Sequence, residues 1–120
     1  EVKDHGEGGM FVGKTLADGE KVVIIEDVMT SGKALMEVYH KLKGAADVNI
    51  TGMVITVDRM EKALGSENSA VQEAFNKFGV TVYSIVTMDD IIKAIEDGVI
   101  PFAEYLDAMR AYRKEYGVEA

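Results

Sequence analysis

The sequence predicts an α/β fold built on a mainly parallel sheet. Three observations carry this prediction: short apolar runs rich in β-branched residues, apolar residues at helical spacing between them, and glycines near the expected ends of helices. Strands that alternate with helices need crossover connections, which make the strands parallel and place helices on both faces of the sheet. A chain of 120 residues has the size of one domain, so we expect a single core.

The first part of the chain contains two predicted strands and one helix. Residues 10–16 are compatible with a short strand, and a turn is expected at residues 17–20. The apolar run VVII at residues 22–25 is typical of a buried parallel strand. Apolar side chains then recur at helical spacing as far as Leu42, and Gly44 is expected to end that helix.

The same alternation continues in the second part of the chain. Residues 48–57 and 80–86 are predicted strands, and the apolar spacing over residues 70–78 predicts a helix that ends at Gly79. These elements extend the parallel sheet by two strands.

Two further helix starts follow the last predicted strand. The run TMDD at residues 87–90 has the pattern of a capping box, with Asp in the position that Glu usually takes, and opens a short helix that reaches Gly98. Pro101 suits the first turn of a last helix, because its fixed φ fits that position and its missing N–H is not needed there.

Composition narrows the possible functions. The absence of cysteine excludes disulfides, thiolate metal sites and a cysteine nucleophile, and it fits a reducing compartment, so we expect a cytoplasmic protein. The formal charge of -8 opposes binding to nucleic acid. No apolar run approaches the roughly 18 residues that a membrane span requires. A small anionic substrate would have to be held by local amide groups and a few well-placed cations.

The residues that follow the VVII run have the parts of an anion-binding site. Ligands of open α/β sheets bind beyond the carboxyl ends of the strands, and Gly32 allows a tight turn there. Thr30 and Ser31 offer hydroxyl donors, and the next helix directs its free N–H groups toward the same turn. Glu26 and Asp27 suit the hydroxyls of a ribose 5-phosphate or a nearby Mg²⁺. An equally weighted alternative is a solvated strand end followed by an ordinary helix cap.

Three segments resemble a known family. Residues 22–34, VVIIEDVMTSGKA, resemble the phosphoribosyl pyrophosphate (PRPP) signature of type I phosphoribosyltransferases. Residues 3–9, KDHGEGG, look like the mobile catalytic loop of orotate phosphoribosyltransferases, and residues 57–61, VDRME, resemble their Asp-Arg-x-Glu segment. The segments occur in the family's order, and the resemblance covers nearly the whole chain.

The resemblance implies a fold and an activity. Residues 1–120 would form the C-terminal catalytic part of an orotate phosphoribosyltransferase, a type I (Rossmann-like) core without its N-terminal part, with residues 1–9 as the mobile loop. The enzyme would be a cytoplasmic homodimer that uses Mg²⁺, bound mainly through PRPP rather than by direct protein ligands. It would transfer the phosphoribosyl group of PRPP to orotate, giving orotidine 5′-monophosphate and pyrophosphate in UMP biosynthesis.

The resemblance also assigns roles to individual residues. Lys3, His5 and Asp27 would be catalytic, with Lys3 and His5 neutralising the departing pyrophosphate. Thr30 and Arg59 would contact orotate, and the planar donor fork of Arg59 suits its carboxylate. The alternative for Arg59 is a surface ion pair with Asp58 or Glu61. The residues expected to bind PRPP are Lys3, His5, Glu26, Asp27, Val28, Met29, Thr30, Ser31, Gly32, Lys33 and Ala34.

Some features leave alternatives open. Lys33 stands where relatives have a small residue, and it could contact phosphate or point to solvent. The family's N-terminal elements are absent from these residues, so the chain alone could bind phosphate without turnover. Purine or uracil phosphoribosyltransferases, a non-catalytic PRPP-sensing domain and a flavodoxin-like domain phosphorylated at Asp27 are the alternatives. Only residues 3–9 and Arg59 argue against a purine or uracil phosphoribosyltransferase.

Overall fold

Three parallel strands and four helices form the protein in this computed structural model, which describes residues 11–29, 32–63 and 65–118. The sheet has the order β1-β2-β3 and all its pairs are parallel, which confirms the predicted α/β class. The strands are β1 (Lys21–Val28), β2 (Asn49–Asp58) and β3 (Val82–Thr87). The helices are α1 (Lys33–Ala45), α2 (Ala70–Phe78), α3 (Met88–Glu96) and α4 (Leu106–Tyr116), the last preceded by a 3-10 turn, Ala103–Tyr105.

One face of the sheet packs against α1 and α2 and forms the core. Ile24 of β1 lies beside Met53 of β2, and both are buried. Leu35 and Leu42 of α1 and the small residues of α2 complete the same cluster. The largest fully buried side chains are Leu35, Met53, Ile55, Val48 and Val80. Burial of apolar surface on this side provides the main stabilisation of the fold.

The opposite face of the sheet is exposed in the described part of the chain. Ile25 is 80% exposed and Ile85 is 71% exposed, and Val23 and Tyr83 on the same face are also exposed. Parallel sheets are normally covered on both faces, and the alternating side chains of these strands are apolar on both sides. The expectation of helices on both faces is therefore met on one face only.

The described segment before β1 is irregular, contrary to the predicted strand at residues 10–16. Residues 11–16 contain one isolated bridge residue, Phe11, followed by bends and irregular chain rather than a strand, and residue 10 lies outside the described ranges. The predicted turn is confirmed, since the N–H of Glu20 donates to the carbonyl of Ala17 at 3.2 Å. The turn is fixed to the loop before β2, where the N–H of Asp47 donates to Asp18 Oδ1 at 2.7 Å.

The strands follow the sequence pattern with shifted ends. β1 extends three residues beyond the predicted end at residue 25, because the long β2 offers partners as far as Val57, which lies opposite Val28. Glu26 and Asp27 therefore belong to the strand rather than to the loop. β2 and β3 begin one and two residues later than expected, at Asn49 and Val82.

Helix ends agree with the sequence in two places and differ in two. Gly79 adopts a left-handed conformation (φ 68°) at the end of α2, as predicted. The capping box at the start of α3 is confirmed: Asp90 N–H donates to the Thr87 hydroxyl at 3.1 Å, and Thr87 N–H donates to the Asp90 carboxylate at 2.9 Å. The prediction for Gly44 was wrong, because α1 passes through it and ends at Ala45.

The prediction that Pro101 begins the last helix was also wrong. The next residue, Phe102, has a left-handed backbone (φ 98°), which cannot continue into a helix. A 3-10 turn follows, and α4 begins only at Leu106. None of the helices in the described ranges has the length and apolar character needed to cross a membrane.

Candidate active site

The carboxyl ends of the three strands meet at one edge of the sheet. Val28, the last residue of β1, lies opposite Val57, and Asp58, the last residue of β2, lies opposite Thr87. Because the strands are parallel, the segments that leave β1 and β2 begin at the same edge. Both segments contain residues that the sequence predicts to bind substrate.

A cavity of about 350 Å³ lies between the end of β1 and the start of α1. It brings together six of the residues predicted to bind PRPP, and the buried side chains Leu35 and Met53 form its floor. The six predicted residues in its wall are Glu26, Val28, Met29, Gly32, Lys33 and Ala34. A cavity of this size is within the usual range for small-molecule sites.

The start of α1 gives the cavity wall the character of an anion site. Gly32 precedes the helix with a left-handed backbone (φ 79°), a conformation that glycine adopts at little cost. Among the described residues, no side chain caps the helix start, and the first turn contains no acidic residue. The positive end of the helix dipole therefore favours an anion at this wall of the cavity.

The two acids of the predicted motif lie on opposite sides of β1. Glu26 is half-buried and lines the cavity. Asp27 is exposed and does not line it, because successive side chains of a strand point to opposite faces. Asp27 Oδ1 accepts a hydrogen bond from the N–H of Val28 at 2.7 Å. The geometry thus brings Glu26 to the cavity and leaves Asp27 at its edge.

Lys33 lies at the first position of α1 and lines the cavity, with a largely exposed side chain. Its ammonium group is 3.9 Å from the Glu37 carboxylate one helical turn later, a long contact of the kind that contributes only a few tenths of a kcal/mol, roughly 0.3–0.5. Lys33 is consequently a cation at the rim, next to the start of α1.

Arg59 is the first residue after β2, and two side-chain contacts define its position. Its Nη2 lies 2.6 Å from Glu61 Oε1 and donates a hydrogen bond to the Tyr112 hydroxyl at 3.2 Å. The turn that carries it is unusual, because Met60 has a left-handed backbone (φ 57°) and its N–H donates to Asp58 Oδ1 at 2.8 Å. A left-handed non-glycine residue stores backbone strain, which is often found next to functional sites.

The end of α4 holds this turn in place. The N–H of Val118 donates to the carbonyl of Met60 at 2.7 Å, and the N–H of Lys62 donates to the carbonyl of Tyr116 at 2.9 Å. The helix itself is fixed to α3 by Arg113, whose Nε donates to Asp89 Oδ1 at 2.9 Å. The turn at Arg59 therefore depends on the far end of the chain.

The sequence offered an ion pair with Asp58 or Glu61 as the alternative role of Arg59, and the structure shows the pair with Glu61, two positions after Arg59. Sequence reasoning missed one residue of this arrangement, Tyr112. Tyr112 gave no signal in the sequence, since it is 53 residues from Arg59 along the chain. Lys3, His5, Thr30 and Ser31 lie outside the described residues.

Sequence comparison decides between the families that share such a cavity. No family model matches the chain. An orotate phosphoribosyltransferase of Bifidobacterium animalis subsp. lactis is 46% identical over 123 residues, which cover 98% of this chain and 53% of that protein. One of Clostridium beijerinckii is 43% identical, covering 99% of this chain and 55% of the relative.

The chain belongs to the orotate phosphoribosyltransferase family. It spans about half the length of the curated relatives that it matches.

Solved structures agree with this family membership. A crystal structure of the orotate phosphoribosyltransferase of Francisella tularensis matches with a TM-score of 0.68 and 34% identity, covering 81% of this chain and 46% of that one. A phosphoribosyltransferase of Corynebacterium diphtheriae matches with a TM-score of 0.55 at 21% identity, which supports the fold alone. The parallel sheet and its flanking helices are thus those of a phosphoribosyltransferase core.

Proposed function

We propose that the protein containing this chain is an orotate phosphoribosyltransferase, which transfers the 5-phosphoribosyl group of PRPP to orotate and releases pyrophosphate. The observation that carries the proposal is the cavity at the end of β1, where six residues of the predicted PRPP motif meet at the start of α1. Relatives over the whole chain with this name support the choice of orotate as acceptor.

In this proposal the 5-phosphate of PRPP binds at the start of α1. The phosphate oxygens accept hydrogen bonds from backbone N–H groups of Gly32, Ala34 and Leu35 and from the hydroxyls of Thr30 and Ser31. Lys33 at the rim adds positive charge. Because Glu26 lines the same cavity, its carboxylate accepts hydrogen bonds from the ribose hydroxyls. Asp27 binds the ribose hydroxyls from the edge of the cavity, because it lies on the other side of β1.

In this proposal Mg²⁺ binds mainly to PRPP rather than to protein ligands. Among the described residues, no three acidic or histidine side chains come together as a metal site. Single carboxylates such as Glu26 and Asp27 suit Mg²⁺, which prefers oxygen ligands and usually keeps several water or phosphate ligands. When bound, the ion would neutralise charge on the pyrophosphate of PRPP, while the carboxylates hold the ribose.

Arg59 would hold the carboxylate of orotate. It begins the segment after β2 at the edge of the sheet where the PRPP cavity lies. A guanidinium offers two parallel N–H donors with the spacing of carboxylate oxygens, which an ammonium group cannot do. An acceptor held by its carboxylate distinguishes orotate from uracil and from purines.

The reaction itself requires charge stabilisation rather than a covalent enzyme intermediate. A ring nitrogen of orotate forms a bond to the anomeric carbon of the ribose, while the bond from that carbon to the pyrophosphate oxygen breaks and the pyrophosphate leaves with its electron pair. The ring nitrogen loses its proton in the same reaction, to the departing pyrophosphate or to solvent. Lys3 and His5 would approach this leaving group from the glycine-rich segment at residues 3–9 and stabilise its charge. Closure of the segment would exclude water from the positively charged transition state.

The proposal also includes the oligomeric state and the cellular location of the intact enzyme. The family resemblance implies a homodimer, and the lack of cysteine is in accord with a cytoplasmic location. Sedimentation of the intact gene product tests the dimer.

The direct test is a substrate panel with the intact gene product that contains these residues. We expect formation of orotidine 5′-monophosphate from orotate and PRPP in the presence of Mg²⁺, and no product with uracil, adenine, guanine or hypoxanthine. Product from a purine or uracil alone would replace the proposal with another phosphoribosyltransferase. PRPP binding with no product from any base would favour a non-catalytic PRPP-sensing protein.

A pair of variants tests the cavity. Glu26→Gln keeps the size of the side chain but removes its charge, and we expect weaker PRPP binding, by roughly the 1.5–3 kcal/mol of hydrogen bonds to a charged group. Glu104→Gln is the matched control, because Glu104 is exposed in the 3-10 turn before α4 and lies outside the cavity. Equal PRPP affinities for the two variants would refute the placement of PRPP in this cavity.

A further inference from the structure

The guanidinium group of Arg59 contacts two other side chains. Its Nη2 is close to both the Glu61 carboxylate, at 2.6 Å, and the Tyr112 hydroxyl, at 3.2 Å. Among the described residues, its Nε and Nη1 donate no hydrogen bond. Nη2 has two N–H groups and only one of them donates to Tyr112, so the edge of the guanidinium that carries the other N–H keeps two parallel donors for a ligand.

The two partners act on Arg59 in different ways. Oε1 of Glu61 is buried and accepts no hydrogen bond within the described ranges, so its 2.6 Å contact with Arg59 acts through charge rather than through an aligned N–H. The aligned hydrogen bond goes to the Tyr112 hydroxyl. Tyr112 is therefore the contact that fixes the direction of the guanidinium plane, because hydrogen bonds depend strongly on angle.

Tyr112 is itself well placed for such a role. Its ring packs against the ring of Tyr116 with centroids 4.7 Å apart, one turn later on α4. The end of α4 is bound to the turn at Met60 by backbone hydrogen bonds. The Tyr112 hydroxyl thus belongs to a rigid element rather than to a loop, which is what precise positioning requires.

A long side chain such as arginine loses considerable rotamer entropy when it is fixed, roughly 1.5–2 kcal/mol on common scales. If the protein fixes Arg59 before the substrate arrives, the substrate does not have to pay this cost during binding. The contact with Tyr112 therefore favours binding of a planar carboxylate at the free edge of the guanidinium.

We propose that Tyr112 is a positioning residue for Arg59, and that α4 is for this reason part of the orotate site. The inference rests on the proposed function, because it assumes that Arg59 binds the orotate carboxylate. Tyr112 does not touch the substrate; it acts through the guanidinium.

The test compares Tyr112→Phe with Tyr105→Phe in the intact gene product. The first variant removes the hydroxyl that accepts from Arg59 and keeps the ring that packs on Tyr116. The second removes a tyrosine hydroxyl nearby that makes no hydrogen bond among the described residues, from a ring that lines the same surface cavity as Tyr112. KM for orotate, KM for PRPP, kcat and the thermal unfolding midpoint are measured for both.

For Tyr112→Phe we expect KM for orotate to rise roughly three- to tenfold, the range for loss of one hydrogen bond. KM for PRPP and the unfolding midpoint should be unchanged, and Tyr105→Phe should resemble the wild type throughout. Equal KM values for orotate in both variants would overturn the inference, as would a rise in both KM values together with a lower unfolding midpoint. A wild-type protein that does not use orotate would instead refute the proposed function, so the two failures can be told apart.

Discussion

The backbone conformation of Gly32 allows a quantitative prediction for Gly32→Ala. Gly32 has φ 79°, and a Cβ added there would meet no atom of the described residues within 4 Å. The cost of the substitution is therefore conformational rather than steric. A left-handed residue with a side chain costs roughly 1–2 kcal/mol, and the stiffer unfolded chain returns about 0.4–1 kcal/mol. We expect the free energy of unfolding to fall by about 0.8 kcal/mol, within a range of roughly 0–1.6 kcal/mol.

Two other glycines serve as controls for this prediction. Gly79 has φ 68° and open space around its Cβ position, so Gly79→Ala should destabilise the protein by a similar amount. Gly44 lies within α1, without a positive φ and with no atom within 4 Å of its Cβ position. Gly44→Ala should therefore stabilise the protein by about 0.5–1 kcal/mol, because alanine is the better helix former.

Urea unfolding of the 120-residue chain measures the stabilities, and calorimetry measures PRPP binding to the intact gene product. Only Gly32→Ala should weaken PRPP binding, because Gly32 lines the cavity at the end of β1 and the other two glycines do not. A Gly32→Ala variant as stable as Gly44→Ala would refute the assigned backbone conformation. Loss of PRPP binding in Gly79→Ala to the same extent would refute the link to the cavity.

Three further predictions follow from single residues. Lys3→Ala should lower turnover of the intact enzyme far more than its PRPP affinity, as measured by kcat and calorimetry. Hydrogen bonds from the Ser66 hydroxyl and the Asn68 amide lower the pKa of Glu73 below its ordinary 4.5. The ionised carboxylate therefore stabilises the fold at pH values above 4.5. This stabilisation is lost as the pH falls through the lowered pKa of the folded state, so the urea midpoints of wild type and Glu73→Gln should converge in acid. Ile25→Thr should reduce self-association of the 120-residue chain in sedimentation, because it removes an apolar side chain from the exposed sheet face.

Each of these has an outcome that contradicts it. Equal losses of turnover and PRPP affinity would remove Lys3 from the chemistry. A stability difference between wild type and Glu73→Gln that does not change with pH would show that the lowered pKa has no effect on folding. A wild-type chain that is monomeric at all concentrations would argue against an adhesive sheet face, and Val12→Thr, at an exposed residue before β1, controls for a general change in solubility.

The sequence predicted features that depend on neighbouring residues. The capping box formed by Thr87 and Asp90 and the left-handed end of α2 at Gly79 are local interactions, and both were confirmed. The order of strands and helices also followed from apolar periodicity. Pro101 was misleading, because a proline fits a helix start and a loop equally well, and the left-handed Phe102 decided between them.

Part of the candidate site could also be predicted, because it is formed by residues that are neighbours in the sequence. Residues 26–34 are continuous in sequence, so their pattern was visible, and the structure brings six of them to one cavity. The separation of Glu26 from Asp27 was not predicted, because β1 was expected to stop before them. Its extra length comes from pairing with β2, a contact between distant parts of the chain.

The sequence alone determined the fold class and the family, and it predicted the phosphate-binding segment, since each is encoded in short runs of residues. Only the tertiary structure decided which face of the sheet is covered, on which side of β1 each acid lies, and that Tyr112 meets Arg59. The physical reason is that these features depend on strand pairing and helix packing between residues far apart in the chain. Apolar periodicity indicates which faces can be buried, but not which element packs against them.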